Sequence, residues 1–264
     1  LLYGYKETTY PFFEESYRLQ YLQFLPFLNK NNLLLRYNRS SSQTAQDIVN
    51  GMLGRMLAGS QSGNVQVCVF DPKDLGGTSN MLKMLDRHVY TICARTAEMQ
   101  SQLSMYDRYV EDVVQNLLQG TCTSLAVYNN GKEKQEPYQI IVLKDFPLGI
   151  SPDMAHTILR IISNGIRAGV QFIFMVNEDV LKLSEDHAKI GFIMRLNEAP
   201  ALQVTEIDLT KKSDNIREEQ QYAVLNDNLL HNIVQYVNAG FEVKTEEVLR
   251  LTDYMIPKED WWTD

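Results

Sequence analysis

The sequence predicts an α/β fold built on a mostly parallel sheet with helices on both faces. Strand-length apolar runs alternate with helix-length amphipathic stretches, the order in which a doubly wound sheet is laid down. Runs such as Leu33-Leu34-Leu35 and Ile140-Ile141-Val142-Leu143 lack the polar alternation of a sheet wetted on one face, so they read as strands covered on both.

The first strand is expected over 33–37. Polar residues 38–43 follow, then a helix over about 44–58, in which Ala45, Ile48, Val49, Met52, Leu53, Met56 and Leu57 recur at the helical period. A second strand, 65–70, is stopped by Asp71-Pro72. Thr96 is placed to cap a long helix that carries Met99, Leu103, Tyr106 and Val110 on one face and stops near Gly120. The third strand covers 140–143. Ser151-Pro152 reads as an N-cap followed by proline at the first helical position, opening a helix that ends near Gly165. A fourth strand runs over 170–176. Residues 192–196 and 202–209 read as two more, the latter with the half-alternating polarity of a sheet edge. A charged helical stretch over 218–237 keeps a stripe at Leu225, Leu229, Ile233 and Val237, and 243–264 reads as a tail ending in Trp261-Trp262.

Composition narrows the function. Hydrophobic residues make up 44% and charged residues 22% of 264, enough to bury a large core and too apolar for disorder. No apolar run approaches the ~18 to 20 residues needed to span a bilayer. The chain opens Leu1-Leu2-Tyr3-Gly4, without initiator Met or signal pattern, and is expected to be an internal piece of a longer cytoplasmic polypeptide. Cys68, Cys93 and Cys122 are odd in number and widely spaced, and Cys68 lies in an apolar run, as a reduced buried thiol would. No cysteine or histidine spacing suggests a metal site. The formal charge of −8, with no basic cluster longer than Lys211-Lys212, weighs against a surface that grips nucleic acid by itself.

Strand, polar loop and helix in that order are the setting of the phosphate-binding loop, G-x-x-x-x-G-K-[ST]. Its glycines let backbone N–H groups close on phosphates, its Lys neutralises them, and its hydroxyl holds Mg²⁺. Residues 37–44 fit the frame without gaps, but the chemistry differs. Tyr37 and Ser42 occupy the glycine places, Gln43 stands at the Lys, and only Thr44 is retained. A partner strand should end in an acidic pair that holds metal and orients water. Here the strand over 140–143 runs into Lys144-Asp145-Phe146, which puts a cation at the metal-binding place and an acid at the water-orienting one.

The stretch Ile140-Ile141-Val142-Leu143-Lys144-Asp145-Phe146 resembles the second-motif strand of FtsK/SpoIIIE-type ATPases, which ends in Asp-Glu-Phe. Arg167-Ala168-Gly169-Val170 and the following apolar strand to Asn177 are similar to that family's sensor segment, with Asn177 at the polar sensor position and Glu178 where an Arg usually follows. Phe70-Asp71-Pro72-Lys73 is similar to another of its strand ends. The resemblance implies a RecA-like P-loop NTPase fold over 1–212, with 1–30 as a lead-in segment, and a C-terminal helix and linker over 213–264 leading to a following module. It also implies a degenerate nucleotide pocket lined by Tyr37, Ser42, Gln43, Thr44, Lys144, Asp145 and Asn177.

The expected function is a non-catalytic module with a structural or regulatory role in a larger DNA-translocase-like motor. The alternative is a substrate-binding or regulatory module of a type VII secretion-like ATPase, and a divergent NTPase using Lys144 and Asp145 is a third reading. No cofactor is expected in this module, ATP and Mg²⁺ belonging to another module of the parent protein. Expected partners are other ATPase modules of the same chain or ring and further proteins, with DNA reached only through the full-length protein. Trp261 and Trp262 are expected to meet the next module.

Overall fold

The computed structural model describes residues 1–12, 15–73, 81–196, 198, 202–211 and 218–253. In chain order the elements are β1 (Leu2–Phe12), β2 (Glu15–Phe24), β3 (Asn32–Tyr37), α1 (Ser42–Ala58), β4 (Val65–Phe70), β5 (Tyr90–Cys93) and α2 (Thr96–Asp112). There follow α3 (Leu125–Asn129), β6 (Tyr138–Phe146), α4 (Pro152–Gly165), β7 (Val170–Asn177), α5 (Glu178–Leu181), α6 (Glu185–Ile193), β8 (Val204–Asp208), β9 (Glu218–Tyr222) and α7 (Asp227–Asp253).

Among the described residues six strands form one sheet in the order β5-β4-β6-β7-β3-β8, and every pairing in it is parallel. Its strands are apolar on both faces, as expected. Leu34, Cys68, Ile141, Leu143, Phe172 and Phe174 face one way, onto Leu103, Val110, Ile158 and Ile162 of α2 and α4. Leu33, Leu35, Val67, Val142, Ile173 and Met175 face the other, onto Ile48, Met52 and Leu53 of α1 and Leu230 and Val234 of α7. Parallel strands begin from the same end of the sheet, so the segments leaving β3, β4, β6 and β7 all emerge at one edge, where ligand sites of such sheets form.

Local signals set several boundaries. Ser151 accepts from the Met154 N–H and Pro152 occupies the first turn of α4, as the sequence predicts. At α2 the predicted cap is off by one, because Arg95 holds the extended N-cap position and Thr96 is the first helical residue. Residues 113–117 continue α2 as a π turn.

The residues expected as a lead-in form a hairpin: β1 and β2 pair antiparallel, and β9 joins β1 in a second, three-stranded sheet. Three expectations are corrected. The charged segment expected to be helical from 218 therefore begins as a strand, because pairing with β1 overrides its composition. Residues 192–196 are not a strand. They complete α6 and its turn, driven by the Ser184 side chain capping the His187 N–H and by Glu185 and Asp186 in the first turn. The apolar stripe of α7 is offset from the predicted one: Leu230, Ile233, Val234 and Val237 are buried, whereas Leu229 faces solvent. Trp261 and Trp262 lie outside the described residues.

Two glycines let the chain between β9 and α7 cross close to α1. A Cβ at Gly51 would stand 2.9 Å from the Ala223 carbonyl oxygen, and one at Gly54 would stand 2.8 Å from Leu225 Cδ1.

The core makes a graded prediction. Phe174 is fully buried, stacked on Phe172 at 5.3 Å and edge-on to Phe146 at 5.5 Å. Phe174→Ala is expected to cost about 3–5 kcal/mol in urea unfolding, and Leu229→Ala less than about 0.5 kcal/mol. Equal costs would contradict the observed placement of α7.

Candidate functional site

β3 delivers Tyr37 to the sheet edge in register with Asn177 of β7. The next residue, Asn38, turns the chain. Its Oδ1 accepts from the backbone N–H groups of Ser40 (3.0 Å) and Ser41 (3.3 Å) and from the Ser40 hydroxyl (2.6 Å), while its own N–H donates to Ser41 Oγ at 3.1 Å. A short 3₁₀ turn, Arg39–Ser41, results and leads into α1. The Arg39 N–H donates to the Asp179 carboxylate at 2.9 Å. Four N–H groups in the phosphate-loop frame are thus bonded to side-chain oxygens of the protein itself.

Ser42 opens α1, with Gln43 and Thr44 in its first turn. Gln43 is exposed, and its amide donates along the helix to Asp47 Oδ1 at 2.9 Å. Thr44 is half-buried.

β6 reaches the same edge with a register irregularity between Leu143 and Phe146, which sets Lys144 and Asp145 to different partners. The Lys144 ammonium lies 2.6 Å from Asp71 Oδ2 at the end of β4, with side chains 12% and 4% exposed. Asp145 adopts a left-handed backbone, φ 48°, uncommon for a non-glycine residue. Its buried carboxylate Oδ1 accepts from the Tyr37 hydroxyl at 2.9 Å and from Asn177 Nδ2 at 2.6 Å. The Asn177 Oδ1 in turn accepts from the N–H groups of Asp179 and Val180 and so caps α5. Burial first, and then the negative charge of Asp145, push the Tyr37 phenol above its ordinary value. It stays protonated and acts as a donor.

The structure therefore draws Tyr37, Asp145 and Asn177 into one hydrogen-bonded group, sets Lys144 on Asp71 beside it, and bonds the Gln43 amide to Asp47 along α1. Three participants were not foreseen as site residues: Asp71, Asp179 and Arg36. Arg36 donates from Nε to Glu206 (2.6 Å), from Nη1 to Glu178 (2.7 Å) and from Nη2 to the Leu196 carbonyl, tying β8 and α5 to β3. Burial works against its charge, but the bonds to Glu206 and Glu178 outweigh that and raise its pKa. A charged residue at the end of an apolar run was its one sequence signal.

Next to these groups, on the α1 face of the sheet, lies a cavity of about 180 Å³ reached by side chains of α1, β4, β6 and the start of α7. Among the described residues no group of three or more His, Cys, Asp or Glu is placed to hold a metal, and no helix is long and apolar enough to cross a membrane.

Comparison with solved structures gives the fold a context. The cytoplasmic domain of EssC superposes with a TM-score of 0.56 at 14% identity, over 92% of this chain and 50% of that one. EssC (ATPases 2 and 3) from Geobacillus thermodenitrificans gives 0.59 at 13% identity, over 93% and 49%. Thermomonospora curvata EccC (ATPases 2 and 3), in complex with a signal sequence peptide, gives 0.57 at 11% identity, over 89% and 47%. The chain spans about half the length of these structures. No family model and no curated protein matches the sequence.

The two paired groups predict different responses to mutation. Lys144→Met leaves Asp71 buried without its ammonium and is expected to cost about 3–5 kcal/mol, most of it regained in the Lys144→Met/Asp71→Leu double variant. Tyr37→Phe removes one donor from Asp145 and is expected to cost about 1–3 kcal/mol. Chemical unfolding of the four proteins, wild type included, measures both, and a harmless Lys144→Met would contradict the buried pair.

Proposed function

We propose that this chain, which has the RecA-like fold of FtsK/SpoIIIE-type ATPase modules, is a non-catalytic module with a structural or regulatory role in a larger motor. One observation carries the reading: the groups that would meet nucleotide and metal are bonded to one another instead. Asn38 and Asp179 take the loop N–H groups, Tyr37 and Asn177 take Asp145, and Asp71 takes Lys144.

The residues present do not fit Mg²⁺-ATP. Catalysis of phosphoryl transfer rests on positioning and on positive charge at the phosphates, supplied by the loop Lys and the metal. Gln43 brings no charge, and Lys144, paired with Asp71, stands at the metal's place where a ligating carboxylate would be needed. Asp145 already accepts from two donors and lies buried, so it is poorly set to orient water. We derive no hydrolytic step for this module.

A second reading has its own support: a substrate-binding or regulatory module of a type VII secretion-like ATPase. It draws on the likeness to EssC and to EccC, a type VII secretion ATPase of Thermomonospora curvata that has also been solved in complex with a signal sequence peptide. The pCW3 conjugation coupling protein TcpA, solved with ATPγS, has a similar fold and supports the motor reading equally. In both readings the module works by contact with protein, its partners being other ATPase modules of the parent chain or ring. DNA is reached only through the full-length protein.

Calorimetry with Mg²⁺-ATP, together with a phosphate-release assay, tests the proposal. Neither heat nor turnover is expected, and Gln43→Lys alone is expected to restore neither, because Lys144 still holds the metal's place. Binding near micromolar, about −8 kcal/mol, or turnover lost on Asp145→Asn, would overturn it.

A further inference from the structure

We propose that the cavity lined by Gln43, Asp47, Lys144 and Asp227 receives a cationic side chain, an arginine of a polypeptide partner. The inference rests on the reading that the module works by protein contact, and it names the chemistry of that contact.

The argument begins with the lining. Gln46 and Asp47 stand side by side on α1 with Asn50 one turn further on, and Asp227 lies in the first turn of α7. Val69, Val142 and Met175 of the sheet form an apolar floor. Carboxylates and carboxamides offer acceptor oxygens, while the floor suits the methylene stem of a long side chain whose charged head meets polar groups. About 180 Å³ is of side-chain size, somewhat larger than a cavity that holds benzene.

The charge then selects the sign of the ligand. Among the described residues the cations on the lining are Lys83 and Lys144. Lys144 is neutralised by Asp71 at 2.6 Å. That leaves two carboxylates, Asp47 and Asp227, against the single ammonium of Lys83, within a chain of formal charge −8. An anion entering here meets a net negative wall, and a cation meets a favourable one. Arginine suits the site better than lysine, because its planar fork of N–H donors can engage a carboxylate and neighbouring carboxamide oxygens together. The Gln43 amide already donates to Asp47 Oδ1, leaving Asp47 Oδ2 as the acceptor for a guanidinium.

The test uses two synthetic pentapeptides, acetylated and amidated, with a central arginine or its neutral isostere citrulline between glycines. Backbone amide NMR shifts are followed as each is titrated into the chain at low salt. The arginine peptide is expected to move the signals of Asp47, Asn50 and Asp227 at millimolar concentration, and citrulline to bind roughly tenfold more weakly. Asp47→Asn and Asp227→Asn, checked for native unfolding midpoints, are each expected to weaken the arginine peptide several-fold. The inference is overturned by equal shifts from both peptides, by no shifts at all, or by ATP moving the same signals at lower concentration. The first two results leave the non-catalytic reading standing. The third removes both.

Discussion

Three strands end at Asp145. Tyr37 arrives from β3, Asn177 from β7, and Asp145 itself stands on the irregular end of β6, accepting from both of the others in the buried interior of the sheet edge. A carboxylate held this deeply is costly unless its oxygens are bonded, so the three strand ends are fixed relative to one another by the need to satisfy it. The left-handed backbone at Asp145 is part of the same constraint, since the register slip after Leu143 is what turns its side chain inward while Lys144 turns towards β4.

From that point the behaviour of the neighbouring loop follows. Asn177 uses its amide on Asp145 and its carbonyl oxygen on α5, which sets the start of α5 and with it Asp179, whose carboxylate takes the Arg39 N–H. Asn38 closes the remainder of the turn. A loop that binds phosphate must keep its N–H groups unspent and its backbone uncluttered. Here those N–H groups are spent within the protein, and a tyrosine fills the place of the glycine. Gln43 at the Lys place of the frame, Lys144 bonded to Asp71, and closure by Asn38 and Asp179 all act in the same direction, which is why changing a single residue is not expected to create a nucleotide site.

Much of the sheet was legible because burial on both faces leaves an uninterrupted apolar run, and β4 is predicted over the very residues it occupies. The helix α4 was legible because its start is written in two adjacent residues, Ser151 and Pro152. What escaped were elements whose identity is decided elsewhere in the chain. The β1–β2 hairpin carries no clear turn signal, β9 is a strand because it pairs with β1 across more than two hundred residues, and β5 is only four residues long with Thr91 among them. At the site, the frame placed Tyr37, Lys144, Asp145 and Asn177 at one edge. It said nothing of which would bond to which. The Lys144–Asp71 pair spans 73 residues and the Arg36–Glu206 pair 170, and no local pattern encodes either.

The central claim is that the N–H groups of Arg39, Ser40 and Ser41 are held by the protein's own oxygens and are not given up to nucleotide. Amide hydrogen exchange at Arg39, Ser40 and Ser41, with and without saturating Mg²⁺-ATP, reads this directly. The account predicts the same protection in both conditions, unchanged by nucleotide. Slowing of these three amides by about tenfold or more on adding Mg²⁺-ATP would mean that phosphate displaces Asn38 and Asp179, and would contradict it.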